Sequence, residues 1–261
     1  MNTKSVINIY KILIEKSRTD PNIIGLILFG SRGMGKEFVH KESDYDLMII
    51  VKNKAKKNYD KKFYEIEKAG ISYIDLTIKS EAEIKGHLEE WQRDTYARME
   101  ILVDKTNWLK KHLNEISKIP KSQIKSFIGG HLDGYINYVY RSLKCWRDNN
   151  EIGARLEANR TIELFFKVAF ALHDRRSVPY YKYLKKDLNN NPLNNFKISS
   201  ERLLSLIKKI IDEADVKAQQ ELLNLSEKTF KKAGYGMVFY SWGEKLKWIK
   251  NFKISSRKLF K

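Results

Sequence analysis

The sequence predicts an α+β protein of two domains: an N-terminal mixed β-sheet domain with flanking helices, followed by a C-terminal all-helical bundle. Segments with strand character occur only in the first 120 residues, at 23–30, 45–52, 69–80 and 99–104. Long segments with helical spacing fill the remainder, at 121–149, 151–174, 199–223 and 236–251. Because strands followed by helices are typical of α+β chains or of separate domains, we expect domains at 1–118 and 119–261.

The N-terminal part begins with a helix and then alternates between strands and helices. Apolar residues within 3–17 have helical spacing. The continuous apolar run 23–30 ends at Gly30 and predicts a buried strand, and 45–52 predicts a second. Within 69–80, apolar and more polar residues alternate, as in a half-buried third strand. The intervening segment, 53–68, predicts a loop followed by a helix.

From residue 81 onward the pattern is mainly helical. The segment 99–104 is extended, 107–116 predicts a helix, and "IPKS" at 119–122 is the linker between the two domains. The second long helical segment, 151–174, carries an apolar stripe that we expect to face the core. Its members are Leu156, Leu164, Phe165, Val168 and Leu172.

Size and composition narrow the class of protein. Of the 261 residues, 42% are hydrophobic, and no apolar run approaches the roughly 18 residues that a membrane span needs. The N-terminus lacks the apolar region of a signal peptide, and the single cysteine, Cys145, excludes an internal disulfide. These features predict a soluble protein of the reducing cytoplasm without a membrane partner.

The net charge of +18 is concentrated in the second half of the chain. Residues 1–120 contain 22 Lys and Arg against 18 Asp and Glu, a difference of +4, whereas residues 121–261 contain 28 against 14, a difference of +14. Such an excess attracts phosphates, nucleic acid or an anionic surface. A general Lys and Asn bias of a solvated surface explains the same counts.

Three aspartates accompany the second and third predicted strands. Because alternate side chains of a strand share a face, Asp44 and Asp46 point the same way and Tyr45 points the other way. Two carboxylates on one face suit Mg²⁺, which takes oxygen ligands. Asp75 is the acidic residue inside the third strand. If that strand lies beside the second, the three carboxylates form a cluster suited to two metal ions about 4 Å apart.

A Gly-Ser pair precedes these aspartates by twelve residues. Gly30 ends the first predicted strand, and a glycine lets the backbone approach a ligand closely. If a helix starts at Ser31, its free N–H groups and the Ser31 hydroxyl can hold phosphate oxygens. The sequence therefore predicts a nucleotide whose phosphates lie on the Gly-Ser turn and are joined by metals to Asp44 and Asp46.

The combination of "FGS" at 29–31, twelve intervening residues, "DYDL" at 44–47 and Asp75 in "YIDLTI" resembles the DNA polymerase β-like nucleotidyltransferase superfamily. Within it, "LFGSRGMG…SDYDL" is most similar to the bacterial branch of small nucleotidyltransferases that includes aminoglycoside and lincosamide adenylyltransferases. The specific match covers about residues 23–80, and the C-terminal half is similar only in being helical.

The resemblance implies that a substrate hydroxyl attacks the α-phosphorus of a nucleoside triphosphate, ATP by analogy with that branch, and that pyrophosphate leaves.

 Asp44 and Asp46 would be metal ligands, and Asp75 either a third ligand or the base that accepts the hydroxyl proton. Two Mg²⁺ ions are the implied cofactors. Gly30, Ser31 and Arg32 are the expected nucleotide-binding residues of the turn. Several antibiotic-modifying relatives have Glu where this chain has Asp75.

The helical half is expected to supply cations for the phosphates. We single out Arg141, which shares a helix face with Lys144, and Lys182, which is surrounded by Tyr180, Tyr181 and Tyr183. An ordinary helix start with aromatic side chains in the core and cations in solvent explains the same pattern. The sequence does not decide between this alternative and phosphate binding.

The acceptor is the least determined part of the reaction. A small molecule with a hydroxyl group fits the size and the domain order, and Glu89, Glu90, Asp94 and Glu100 could either line its pocket or belong to an ordinary helix surface. The basic second half favours a macromolecule instead, either an RNA such as a tRNA 3′ end or a protein. A non-enzymatic basic binding module is the third alternative. Some relatives complete the site across a homodimer, so a dimer is also open.

Other common site types do not match. The five histidines have no metal-ligand spacing and Cys145 has no cysteine partner, which argues against zinc. The segment "GSRGMGKEF" lacks the Ser or Thr that follows Gly-Lys in a P-loop.

Overall fold

A computed structural model describes residues 3–60, 73–86 and 88–254. The chain divides into two compact units, residues 1–118 and 119–261. All strands in the described residues lie in the first unit, and the described part of the second unit is helical, as expected for the α+β class.

The first unit contains a mixed four-stranded sheet with helices. Its elements are α1 (Thr3–Thr19), β1 (Ile23–Phe29), α2 (Gly30–Met34), β2 (Tyr45–Val51), β3 (Ile74–Ser80), α3 (Glu81–Ile84), α4 (Glu90–Ala97), β4 (Glu100–Asp104) and α5 (Leu109–Ile116). The strand order is β3-β2-β1-β4. Strand β1 is antiparallel to both β2 and β4, whereas β2 and β3 are parallel.

The strand predicted within 69–80 begins at Ile74. The predicted loop and helix of 53–68 are described only as far as residue 60, where 56–60 are helical. The remainder of that prediction, and residues 69–72, lie outside the described residues.

The two faces of the sheet pack against different helices. Leu47 and Ile49 of β2 belong to the core cluster that α1 contacts through Tyr10. Met48 and Ile50, one residue out of step, belong to the cluster on the other face, which includes Ile84 of α3 and Tyr96 of α4. We call these the α1 face and the α4 face. By the same alternation, Tyr45 lies on the α1 face and Asp46 on the α4 face.

The second unit is a helical bundle. Its helices are α6 (Ile124–Arg147), α7 (Glu151–Leu172), α8 (Leu184–Asn190), α9 (Ser200–Glu213), α10 (Val216–Lys232), α11 (Gly236–Tyr240) and α12 (Gly243–Asn251). Its core is rich in large aromatic side chains. The fully buried aromatics are Tyr135, Phe165, Phe166, Phe170, Phe230 and Phe239.

Two predicted long helices are each divided into two. The segment 199–223 breaks at Ala214, which has a left-handed φ of 49°, and Asp215 then accepts a hydrogen bond from the Ala218 N–H to cap α10. The segment 236–251 breaks before Gly243, whose φ is 44°. Local apolar periodicity continues across both breaks, which is why the sequence pattern does not reveal them.

The predicted apolar stripe of α7 is wrong at one position. Leu156 is 65% exposed, whereas Ala154 and Ala158 are fully buried. The small side chains of Ala154 and Ala158 allow α7 to pack closely against its neighbours. A prediction from hydrophobicity favours leucine over alanine and therefore chose Leu156 instead. Among the described residues, no helix is long and apolar enough to cross a membrane.

Candidate active site

The Gly-Ser turn lies directly at the end of β1. Gly30 is the first residue of the short helix α2 and has a φ of 63°, which favours glycine. A Cβ atom added to Gly30 would lie 1.8 Å from Oδ2 of Asp46. Ser31 is buried. Gly30 and Asp46 are therefore in direct proximity, although they lie sixteen positions apart in the sequence.

The sheet register brings the carboxylates together. Strand β3 lies beside β2, and the parallel pairing places Asp46 directly opposite Asp75. The same Asp46 is paired with Phe29 of β1. Because paired residues of neighbouring strands share a face, Asp46 and Asp75 both lie on the α4 face. Asp44 precedes β2 by one residue and Asp46 by two, and it is exposed, as is Asp75.

Asp46 carries the electrostatic signature of the site. Its pKa is raised to about 6, first by burial and then by the negative charges of Asp44 and Asp75. Both neighbours disfavour a third charge at this position, and a bound cation would relieve that repulsion.

The donor set suits Mg²⁺ in its chemistry, since it consists of carboxylate oxygens next to a turn that can hold phosphates. In the part of the chain that the structure describes, however, no group of three or more His, Cys, Asp or Glu side chains is drawn together closely enough to hold a metal ion. The three aspartates thus influence one another electrostatically without forming a finished ligand cage.

Arg32 contacts the segment that immediately precedes β2. Its Nε donates a hydrogen bond to the backbone oxygen of Asp44, and its Nη2 donates one to the backbone oxygen of Ser43, both at 2.9 Å. Its guanidinium carbon lies 4.0 Å from the ring centroid of Tyr45. Tyr45 in turn contacts Tyr10 of α1, with 4.6 Å between ring centroids. This group of contacts was not predicted from the sequence, although an arginine beside the turn and a tyrosine between the aspartates were its visible signal.

The two cations predicted in the helical half lie in the second unit. Arg141 forms an ion pair with Glu157 and lies 5.3 Å from the ring of Tyr138. Lys182 is exposed and its ammonium lies 5.4 Å from the ring of Tyr183. Arg141 therefore has a carboxylate partner within its own unit, whereas Lys182 has an aromatic neighbour.

The acidic residues considered for an acceptor pocket do not form one group. Glu100 is paired with Leu28, whose side chain belongs to the α1 face, so it lies across the sheet from Asp46. Asp94 forms an ion pair with Arg98. Glu89 caps the start of α4. The α4 face therefore offers fewer available carboxylates than the sequence suggested.

A Gly-Ser turn beside paired aspartates is the arrangement that the resemblance of the sequence to nucleotidyltransferases implies. The family model described as Polymerase beta, Nucleotidyltransferase matches residues 11–103. Residues 11–103 are therefore similar to the nucleotidyltransferase domains that this model describes.

Two solved structures are similar to the chain. A nucleotidyltransferase-like protein from Exiguobacterium sibiricum 255-15 is 10% identical, with 94% of this chain and 77% of that chain covered and a TM-score of 0.41. The spectinomycin adenyltransferase AAD(9) from Enterococcus faecialis, solved with ATP and spectinomycin, is 16% identical, with 94% and 100% covered and a TM-score of 0.33. A comparison with curated protein sequences found no match.

Proposed function

We propose that the protein is a Mg²⁺-dependent nucleotidyltransferase that transfers a nucleoside monophosphate, AMP from ATP, to a hydroxyl group of a small molecule of the aminoglycoside or lincosamide kind. The observation that carries the proposal is the register of β2 and β3, which pairs Asp46 with Asp75 beside the Gly30 turn. The similarity of "LFGSRGMG…SDYDL" to the adenylyltransferase branch supports ATP as the donor and an antibiotic-like small molecule as the acceptor.

On the donor side, the Gly30–Ser31 turn binds the phosphates through backbone N–H groups and the Ser31 hydroxyl. Asp44 and Asp46 would hold Mg²⁺. When bound, the metal supplies charge neutralisation for the triphosphate and the departing pyrophosphate.

On the acceptor side, the substrate hydroxyl forms a bond to the α-phosphorus while the bond from that phosphorus to the bridging oxygen breaks and pyrophosphate leaves. Asp75 is exposed and lies next to Asp46, so it is the carboxylate we assign to accept the hydroxyl proton. We expect the acceptor to approach on the α4 face, on which Asp46 and Asp75 both lie.

One observation favours a second candidate, transfer to RNA or to a protein. Residues 119–261 carry the same 28 basic and 14 acidic side chains counted above, a difference of +14, and a polyanionic acceptor would be attracted to them. A polycationic aminoglycoside would not be attracted to these basic side chains.

The deciding experiment incubates the protein and Mg²⁺ with each of the four α-³²P-labelled nucleoside triphosphates against an antibiotic panel, bulk tRNA and cell lysate. We expect ATP to label an aminoglycoside or lincosamide and to leave tRNA and lysate protein unlabelled. Labelled tRNA or protein without labelled antibiotic would establish the second candidate instead.

Two variants make that result specific to the site. Asp46→Asn is expected to abolish the transfer, whereas Asp60→Asn, which neutralises an exposed carboxylate paired with Lys56 in the same unit, should retain it. Transfer that survives Asp46→Asn would overturn the metal assignment.

A further inference from the structure

Arg32 connects two segments that the reaction uses together. It belongs to α2, the helix of the phosphate turn, yet two of its side-chain hydrogen bonds reach the segment that carries the first aspartate, eleven and twelve residues further along the chain. The acceptors are the backbone oxygens of Ser43 and Asp44. The guanidinium therefore fixes the main chain from which the Asp44 carboxylate projects.

The position of Arg32 relative to the sheet separates it from the carboxylates. Its guanidinium stacks on Tyr45, which contacts Tyr10 on the α1 face, whereas Asp46 lies on the α4 face. The positive charge of Arg32 also acts on Tyr10, where it lowers a pKa that burial raises. The stacking on Tyr45 places the guanidinium on the α1 face, across the sheet from the Asp46 carboxylate.

The contacts require the planar fork of arginine. Two donors that diverge from one group reach two successive backbone oxygens, and the flat face of that group lies on the Tyr45 ring. A lysine ammonium is a point charge without a flat face and cannot reproduce both contacts together.

We propose that Arg32 is a positioning residue for the metal ligand Asp44 and not a ligand of the nucleotide phosphates. By tying the phosphate turn to the Ser43–Asp44 main chain, it keeps the two halves of the donor site in register. This inference rests on the function proposed above, because it assigns Asp44 to the metal.

The test compares Arg32→Ala and Arg32→Lys with the wild-type chain in two measurements. The first is Mn²⁺ binding followed by electron paramagnetic resonance, which needs no acceptor. The second is steady-state transfer, from which the Mg²⁺ concentration at half activation, kcat and the KM for ATP are obtained. Circular dichroism and thermal melting check that each variant folds.

We expect both variants to bind Mn²⁺ about 10-fold or more weakly and to need correspondingly more Mg²⁺, as is typical when a group that orients a metal ligand is removed. At saturating Mg²⁺ the KM for ATP should change by less than about 2-fold, because the side-chain contacts of Arg32 go to the Ser43–Asp44 main chain and to Tyr45. An unchanged Mn²⁺ affinity together with a large rise in the KM for ATP would overturn the proposal and make Arg32 a phosphate ligand.

Two further variants keep the result interpretable. Tyr45→Leu removes the stacking surface but leaves Arg32 in place, and we expect a smaller shift in the same direction, so it serves if Arg32→Ala does not fold. An unchanged Mn²⁺ affinity in folded Tyr45→Leu would then count against the proposal. Arg18→Ala removes an exposed arginine that is paired with Glu15 on α1 and should leave all values unchanged.

The failure of this inference is distinguishable from that of the proposed function. If the wild-type chain binds Mn²⁺ but transfers to none of the acceptors, the acceptor assignment fails and the Mn²⁺ comparison still decides the role of Arg32. If the wild-type chain binds no Mn²⁺, the metal assignment and this inference both fail.

Discussion

Oδ2 of Asp46 lies in the space that a side chain at Gly30 would occupy, 1.8 Å from the position of a Cβ atom there. The same glycine has a φ of 63°. Residue 30 is thus limited to glycine for two independent reasons, the backbone conformation and the approach of the carboxylate.

We expect Gly30→Ala to lower both stability and activity. The left-handed conformation costs an alanine about 1–2 kcal/mol, and the clash must in addition displace Asp46. Urea unfolding and Mg²⁺-dependent transfer measure the two effects. As the control, Gly129→Ala in α6 meets no atom within 4 Å and should stabilise the protein by about 0.5–1 kcal/mol. A fully active, undestabilised Gly30→Ala would contradict the observed proximity.

Asp46→Asn should abolish transfer and yet stabilise the metal-free protein at neutral pH. Burial and the charges of Asp44 and Asp75 raise the pKa of Asp46 to about 6. An aspartate in an unfolded chain has a pKa of about 3.9. The native state therefore binds the proton more tightly than the unfolded state, and its stability falls as the pH rises from about 4 to about 6. The asparagine variant has no such loss.

Thermal melting in the presence of EDTA checks this prediction. The melting temperature of Asp46→Asn should exceed that of the wild-type chain at pH 7.5, and the difference should shrink at pH 5. An equal difference at both pH values would show that the charge of Asp46 is not its source.

Tyr59→Phe tests the hydrogen bond that the Tyr59 hydroxyl donates to Asp20. Burial, followed by this hydrogen bond, raises the pKa of Tyr59 to about 12. A tyrosine in an unfolded chain has a pKa of about 10. The stabilisation that the protonated Tyr59 hydroxyl provides is therefore fully present below about pH 10 and is lost as the pH rises through about 12.

We expect Tyr59→Phe to lower the free energy of unfolding at pH 8 by about 1.5–3 kcal/mol, the range for hydrogen bonds to charged groups. The difference from wild type should shrink between pH 10 and 12. Urea unfolding across this pH range measures it, with Tyr73→Phe at an exposed tyrosine as the control. A difference that stays constant up to pH 12 would exclude the tyrosine ionisation as its cause.

The buried ion pair of the second unit should matter more than an exposed one. Asp187 is 1% exposed and accepts a hydrogen bond of 2.7 Å from Arg176. Because Arg176→Ala leaves this carboxylate buried without its guanidinium, we expect a loss of about 3–5 kcal/mol. Arg202→Ala, at the exposed pair with Glu221, should cost no more than about 1 kcal/mol. Denaturant unfolding compares the two, and equal losses would contradict the prediction.

By itself, the sequence determined the features that depend on neighbouring residues. The order of strands and helices, the mixed-sheet class and the opposite directions of Asp46 and Tyr45 all follow from periodicities of two and 3.6 residues. The Gly-Ser spacing also predicted a turn next to the aspartates. These properties are encoded within short segments and can be recognised without knowledge of distant contacts.

The tertiary structure decided what distant segments do to one another. Only the parallel pairing of β2 with β3 places Asp75 opposite Asp46, and only the three-dimensional arrangement turns Arg32 toward the Ser43–Asp44 main chain. The pairing of Arg141 with Glu157 and the helix break at Ala214 are of the same kind. Strand order, side-chain partners and local breaks depend on contacts between residues far apart in the chain, which no local pattern records.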